Sequence, residues 1–229
     1  FGAHNADLLK SATRIMESGQ WKRQRIVVIL PASNTMSTKV ALSHWNLIFP
    51  PNNAVSRILA VGMEVGEAYS QAIEQVLSHP ELSQWEYVLT IEHDNVPPPD
   101  GVLKLLETMD AHPEYACVGG LYWTKGEGGV PQIWGDPSDP VLNFRPQPPR
   151  PGEVVECCGT GMGFNLWRMS MFRDEKLPRP LFRTKSSAEE GVGTQDLAFW
   201  GEARKHGYRC AVDCRVLVGH HDSAQDFSW

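Results

Sequence analysis

The chain has 229 residues, enough for one medium domain with a sizeable core or a domain with a small subdomain. Its formal net charge of −6 gives no global basic field that would draw it to nucleic acid or an anionic membrane. No stretch approaches the roughly 18 apolar residues needed to span a bilayer, and no signal-peptide pattern is present; the chain starts at Phe1 rather than Met, which leaves a leader or anchor open.

Taken in order, residues 7 to 17 place Leu8, Leu9, Ala12, Ile15 and Met16 on one helical face, and residues 1–24 read as an N-terminal helical extension. Arg25 to Leu30 is a short buried strand that ends in the loop Pro31-Ala32-Ser33-Asn34. Trp45 to Phe49 reads as a second strand, stopped by Pro50 and Pro51. Residues 63 to 77 form an amphipathic helix, and the run Tyr87 to Ile91 is the next strand. Asp100 is placed to cap a helix carrying Val102, Leu105, Leu106 and Met109, and Tyr115 to Tyr122 is a further strand.

From Lys125 to Gly152 the chain is rich in glycine and proline and reads as a long loop with one short strand near Gln132 to Trp134. Val154 to Cys157 resumes the sheet, Gly159-Thr160-Gly161-Met162-Gly163 follows, and a helix is expected through Phe172. After another loop over 178–193, a last helix runs from Gln195 to about His206 and stops at Gly207, a suitable residue just past a helix end. Strands near Arg209 to Val212 and Arg215 to Val218 close the fold. Strands alternating with helices imply an α/β class with a mainly parallel central sheet flanked by helices.

The chemistry concentrates at element ends. Glu92, Asp94 and Asn95 follow the strand Tyr87 to Ile91 directly, and ligands of open α/β sheets collect at that edge. Two acids one residue apart suit a hard divalent cation that takes oxygen ligands and completes its shell with phosphates. An acidic turn ahead of Pro97, Pro98 and Pro99 explains the same residues without a metal. Asp196 opens the last helix behind Thr194; it reads as a carboxylate favoured by the helix dipole or as a general base within reach of a hydroxyl. His220 and His221 follow the last strand, and His220, nearer the strand, is the favoured third ligand over a purely structural histidine.

Other features are less specific. The glycines around Gly161 lack both the dinucleotide spacing and the phosphate-loop lysine, and point to close backbone approach by a ligand. Residues 145 to 185 hold eight Lys and Arg against four acids, a solvated face or a surface for an anionic group. Trp123, Trp134 and Trp167 suit either core packing or stacking on a sugar or base. Cys117, Cys157, Cys158, Cys210 and Cys214 are odd in number and lack a framework, which favours reduced thiols in an intracellular, cytoplasmic setting. Zinc binding by the last four lacks a paired CxxC spacing, so buried thiols are the expected reading.

With these residues in view, the sequence resembles the GT-A-fold nucleotide-sugar glycosyltransferases of the family-two-like kind, over roughly residues 25 to 221. Tyr87 to Asp94 is similar to the family's strand and DxD-type metal motif, in a Glu-x-Asp form. Gly161-Met162-Gly163-Phe164-Asn165-Leu166-Trp167-Arg168 resembles the glycine-containing segment and arginine before the acceptor-side helix. Gln195-Asp196-Leu197, through Gly207-Tyr208-Arg209 to His220, is similar to the family's closing helix, strand and histidine. Gln195 replaces the first acid of the usual pair, and Glu92 replaces the commoner aspartate.

The resemblance implies a single Rossmann-like GT-A domain, with a nucleotide-sugar and metal-binding half at 25–123 and an acceptor-binding half at 124–229. Asp94 would bind Mn2+ or Mg2+ bridging the donor diphosphate, with His220 completing the metal shell. Glu92 would contact the donor ribose or a metal-bound water, and Pro31, Ala32, Ser33 and Asn34 would help hold the nucleotide base. Gly161 would let the sugar or acceptor approach the backbone. Asp196 would deprotonate the acceptor hydroxyl in an inverting enzyme. The expected activity is a metal-dependent glycosyltransferase with a UDP-sugar as donor. A glycan, a protein, a small molecule and a hydroxylated DNA base all stand open as acceptors; the last fits because minimal transferases of this kind occur in bacteriophage genomes, acting in the host cytoplasm. Two alternatives remain beside it. A non-catalytic sugar- or nucleotide-binding module is favoured mildly by Gln195. A nucleotidyltransferase would need a basic, glycine-rich loop that Pro31 to Thr35 does not offer.

Overall fold

The computed structural model describes residues 24–50, 54–187 and 191–229; the expected helix over residues 7–17 lies outside them. The strands are β1 (Ile26–Ala32), β2 (Val55–Val61), β3 (Tyr87–Ile91), β4 (Asn95–Val96), β5 (Tyr115–Leu121), β6 (Ile133–Trp134), β7 (Val154–Cys157), β8 (Gly159–Thr160), β9 (Phe164–Arg168), β10 (Lys185–Ser187), β11 (Gly191–Gly193), β12 (Arg209–Leu217), β13 (Gly219–Asp222) and β14 (Phe227–Ser228). The helices are α1 (Thr38–Trp45), α2 (Val65–Ser78), α3 (Gly101–Ala111), the short α4 (Met169–Phe172) and α5 (Gln195–Ala203).

Seven strands form the central sheet in the order β2-β1-β3-β9-β5-β12-β7. β1 pairs parallel with β2 and β3, and β12 pairs parallel with β5. β9 lies antiparallel between β3 and β5, and β7 antiparallel on β12. The sheet is therefore mainly parallel, as expected, with two reversed strands. Both faces are covered. Alternate residues divide between two cores: Val27, Ile29, Val88, Cys117 and Trp167 pack towards α2 and α5, while Ile26, Val28, Leu89, Val118 and Leu166 pack towards α3. Burial on both faces is why β3 and β5 read as continuous apolar runs rather than alternating ones.

Several boundaries differ from expectation. Trp45 to Phe49 is not a strand: Trp45 ends α1 and is 87% exposed, which a core strand would not allow, and the second strand is β2, after Pro50. The segment after Gly163 is strand β9 rather than a helix, with only α4 helical behind it. Its two buried faces erase the alternation that would have marked it as a strand. The two expected closing strands are one, β12, whose pairing with β5 shifts register between Asp213 and Leu217. Asp100 precedes α3 without capping it; its carboxylate bonds Lys104 Nζ at 2.9 Å instead. Gly207 does end the last helical turn, with φ of 81°.

The apolar centre under α5 is aromatic. Trp167 on β9 stacks on Trp200 at 5.3 Å between ring centroids and 15° between planes, and Phe182 meets Phe199 at 4.4 Å. Trp167 Nε1 donates to Thr90 Oγ1 at 2.9 Å, so the indole also satisfies a buried hydroxyl on β3. Truncating Trp167 to Ala should lower the unfolding free energy by about 3–5 kcal/mol. Urea denaturation measures this directly, and a loss under about 1 kcal/mol would contradict the assigned role of this stack.

Candidate active site

The parallel strands β1, β3, β5 and β12 end at one edge of the sheet, and β3 delivers Glu92 and Asp94 there. The acidic turn is fixed by its backbone. Glu92 N donates to Gly163 O at 3.1 Å, and Asn95 N to Glu92 O at 3.1 Å. The chain then forms β4, which pairs antiparallel with β13 so that His220 lies opposite Asn95 and Gly219 opposite Val96. His221 N donates to Asp94 O at 2.7 Å. This short pairing brings together a carboxylate and a histidine that are 126 residues apart in sequence.

His220 Nε2 lies 3.4 Å from Asp94 Oδ2, and its Nδ1 lies 2.7 Å from the carbonyl oxygen of Trp123. A carbonyl only accepts, so Nδ1 carries a proton. Nε2 faces the Asp94 carboxylate: carrying a proton it donates to Oδ2, and without one it offers a lone pair beside that oxygen, an arrangement that calls for a cation. Lys125 supplies one, with Nζ 2.6 Å from Asp94 Oδ2. The ring edge of Tyr122 and His220 also meet at 5.5 Å and 88°. Burial alone would raise the Asp94 carboxyl, but hydrogen bonds and charge from His220 and Lys125 overrule it and hold the group well below the usual carboxylate range.

Glu92 behaves in the opposite sense. Enclosure by protein, then the charges of Asp94 and Asp196, push it up to about 8, although part of its surface stays accessible. Asp196 is thus near enough to Glu92 for its charge to be felt there. It opens α5, is 8% exposed and is raised by burial, against hydrogen bonds that include Leu197 N to Oδ1 at 2.8 Å. Thr194 stands at the cap position without making a side-chain cap bond. The approach of α2 and α5 depends on Gly66, where a Cβ would meet Gln195 Cβ at 3.2 Å.

Pro31 and Ala32 finish β1 at the same edge, with Ser33 and Asn34 exposed beyond them. Gly161 is placed differently from a residue that admits a ligand: the space beside it is filled by Tyr122 Oη and Gln132 Oε1. Gly163 is packed in a similar way, with Asn95 Oδ1 2.7 Å from where a Cβ would stand, and its N–H donates to Tyr122 Oη at 2.9 Å. These glycines seat the wall of the cleft. Two participants carried no sequence signal. Lys125 sits in an ordinary glycine-rich loop, and Trp123 acts through its carbonyl, which no side-chain pattern reveals.

The other features resolve into structure. Trp167 is in the core and does not face the cleft. Within the basic segment, Arg168 donates to the carbonyls of Tyr115 and Met109, Arg173 to that of Trp85, and Arg179 to that of Phe172. All five cysteines are buried free thiols, with Cys157 and Cys210 facing across β7 and β12 at 3.8 Å between sulfurs. Among the described residues no group of three or more His, Cys, Asp or Glu is placed to hold a metal. Asp94 and His220 could between them offer two donors, a set that would suit an ion taking its remaining ligands from phosphate and water. The second nitrogen of His220 is oriented by a backbone carbonyl, as metal-ligating histidines usually are.

The sequence matches no protein-family model and no curated protein. Solved structures do match. A197 from STIV superposes with a TM-score of 0.61 at 16% identity, over 87% of each chain. S. aureus TarS 1–349 superposes at 0.51 and 16% identity, over 85% of this chain and 60% of that one. The chain has the GT-A glycosyltransferase fold. GalNAc-T7, solved with UDP, GalNAc and Mn2+, matches at 0.50 and 12% identity, over 86% of this chain and 43% of its own. At these identities the likeness establishes the fold alone. Among the described residues no helix is long and apolar enough to cross a membrane.

The raised Glu92 has a consequence for stability. A carboxyl whose folded value lies above its unfolded one stabilises the fold at low pH, and this contribution is lost as pH rises from the ordinary 4.5 through about 8. Glu92→Gln should therefore raise the melting temperature at pH 8 and change it little at pH 4.5. Thermal melts across that range test this; an equal effect at both ends would show that Glu92 titrates normally.

Proposed function

We propose that the chain is a metal-dependent glycosyltransferase that moves a sugar from a nucleotide-diphosphate donor, a UDP-sugar, to an acceptor hydroxyl. The observation that carries this reading is the pairing of Asp94 Oδ2 with the Nε2 face of His220 at the sheet edge, beside two further carboxylates. The GT-A fold, and the UDP and Mn2+ bound by GalNAc-T7, support it. A Mn2+ or Mg2+ ion held by Asp94 and His220 would neutralise charge on the leaving diphosphate.

The remaining roles extend the same proposal. Asp94 is held ionised, so it is ready to bind a cation without first losing a proton. The loop after β1, with Pro31, Ala32, Ser33 and Asn34, leaves the sheet at the same edge and would take the nucleotide base. Glu92, kept protonated near neutrality by burial and then by the charges of Asp94 and Asp196, can donate a hydrogen bond to a donor ribose hydroxyl or to a bound water. Asp196 would act as the general base. Burial raises its affinity for a proton, which makes it better matched to a hydroxyl than an exposed aspartate would be. The acceptor oxygen would form the new bond to the anomeric carbon while the bond to the diphosphate breaks and the acceptor proton passes to Asp196. Such a displacement inverts the anomeric centre. Residues 25–123 would serve mainly the donor and 124–229 the acceptor.

The experiment is a comparison of two variants. Asp196→Asn should bind UDP with Mn2+ as the parent does and lose turnover by a factor of about 100 or more. Asp94→Ala should lose the metal-dependent nucleotide binding itself. Calorimetry with UDP and a UDP-sugar consumption assay separate the two effects. Unchanged turnover in both variants would overturn the proposal.

A further inference from the structure

The metal motif already carries a cation. Lys125 Nζ sits 2.6 Å from Asp94 Oδ2, the same oxygen that faces His220 Nε2. The loop that presents it is built rather than slack. Thr124 N donates to Val130 O at 2.9 Å, and Val130 N to Thr124 Oγ1 at 2.9 Å, which closes the neck. Gly129 N donates to Gly126 O at 3.1 Å across the tip, and Gly126 and Gly128 take φ of 98° and 76°, where side chains are disfavoured. A Cβ at Gly129 would collide with Thr124 O, so the turn is specific to glycine there. Lys125 itself is 33% exposed.

We propose that Lys125 is a built-in counter-cation of the donor site, displaced from Asp94 when a divalent ion binds and received by the donor diphosphate. Metal and nucleotide diphosphate then bind as a coupled pair. This rests on the donor-site reading of Asp94 and His220.

Three physical points carry it. An ammonium at 2.6 Å forms a short, charge-assisted bond, and a divalent ion arriving at the same carboxylate oxygen competes with it and repels it. Once displaced, the ammonium is repelled by the ion that replaced it, so metal alone binds against an opposing charge. A diphosphate removes the conflict by offering the ammonium a new anion next to the old one. Lysine suits this exchange because its charge is compact and its stem is flexible, so the headgroup can swing while the turn stays put. Because the coupling is thermodynamic, it runs both ways: nucleotide tightens metal and metal tightens nucleotide.

Mn2+ binding is measured by electron paramagnetic resonance of the free ion, with and without saturating UDP, for the parent chain and for Lys125→Met, Lys125→Gln and Lys125→Arg. The two neutral variants should bind Mn2+ alone about fivefold or more tighter than the parent, and the extra tightening by UDP should shrink by a similar factor. Lys125→Arg should keep the parent pattern. If both neutral variants bind Mn2+ alone within twofold of the parent, or more weakly, while the parent still binds Mn2+ with UDP, this proposal fails and the donor site stands. If the parent binds Mn2+ under neither condition, both fail together.

Discussion

The two-residue strand β4 and its antiparallel pairing with β13 is the contact on which the cleft depends. β3 runs through the middle of the sheet and is buried on both faces, so the place where it ends is fixed. A side chain on the turn beyond it would still be free to swing without the β13 partner. The bond from His221 N to Asp94 O removes that freedom and, by strand alternation, turns His220 towards Asp94 while His221 is buried on the other side. The same register is what makes the late histidine relevant to an acidic motif reached much earlier in the chain.

The electrostatics follow from that geometry. The upward push of burial is the largest influence on Glu92, with the charges of Asp94 and Asp196 next, and it acts on Asp196 and Asp94 as well. Asp94 escapes it only because His220 and Lys125 lie against its carboxylate. The cleft thus holds carboxylates in two states: one kept charged by cationic partners, and others pushed towards protonation by burial. Environments that separate like groups in this way are typical of sites with divided acid, base and ligand roles. The glycines complete the arrangement by letting side chains and helices approach: Gly163 leaves room for Asn95 and Tyr122, and Gly66 lets α2 approach α5.

Much of this was legible in the sequence, for identifiable reasons. The apolar run Tyr87 to Ile91 ending in two acids marked both the central strand and the acidic turn at its end, because burial on two faces and a sharp change to charged residues leave a pattern in adjacent residues. Gly207 marked the end of the last helix for an equally local reason, a positive φ. Of the two adjacent histidines, His220 is the one whose side chain faces Asp94. What failed to show was non-local. β9 reverses direction between two parallel strands, and its doubly buried residues carry no periodicity. Lys125 and the Trp123 carbonyl join the site only through folding of a loop whose composition says merely that it turns. Gly161 was read as an opening for a ligand, yet Tyr122 and Gln132 fill the space beside it. A glycine pattern alone does not distinguish approach by a substrate from approach by the protein's own side chains.

Asp94 and His220 together form the proposed divalent-metal site at the donor position. The most direct measurement is the anomalous diffraction of crystals grown with Mn2+ and UDP. A single strong peak is expected in contact with Asp94 Oδ2 and His220 Nε2, with the UDP diphosphate on its open side. A peak elsewhere, or bound UDP with no metal at these two residues, would contradict it.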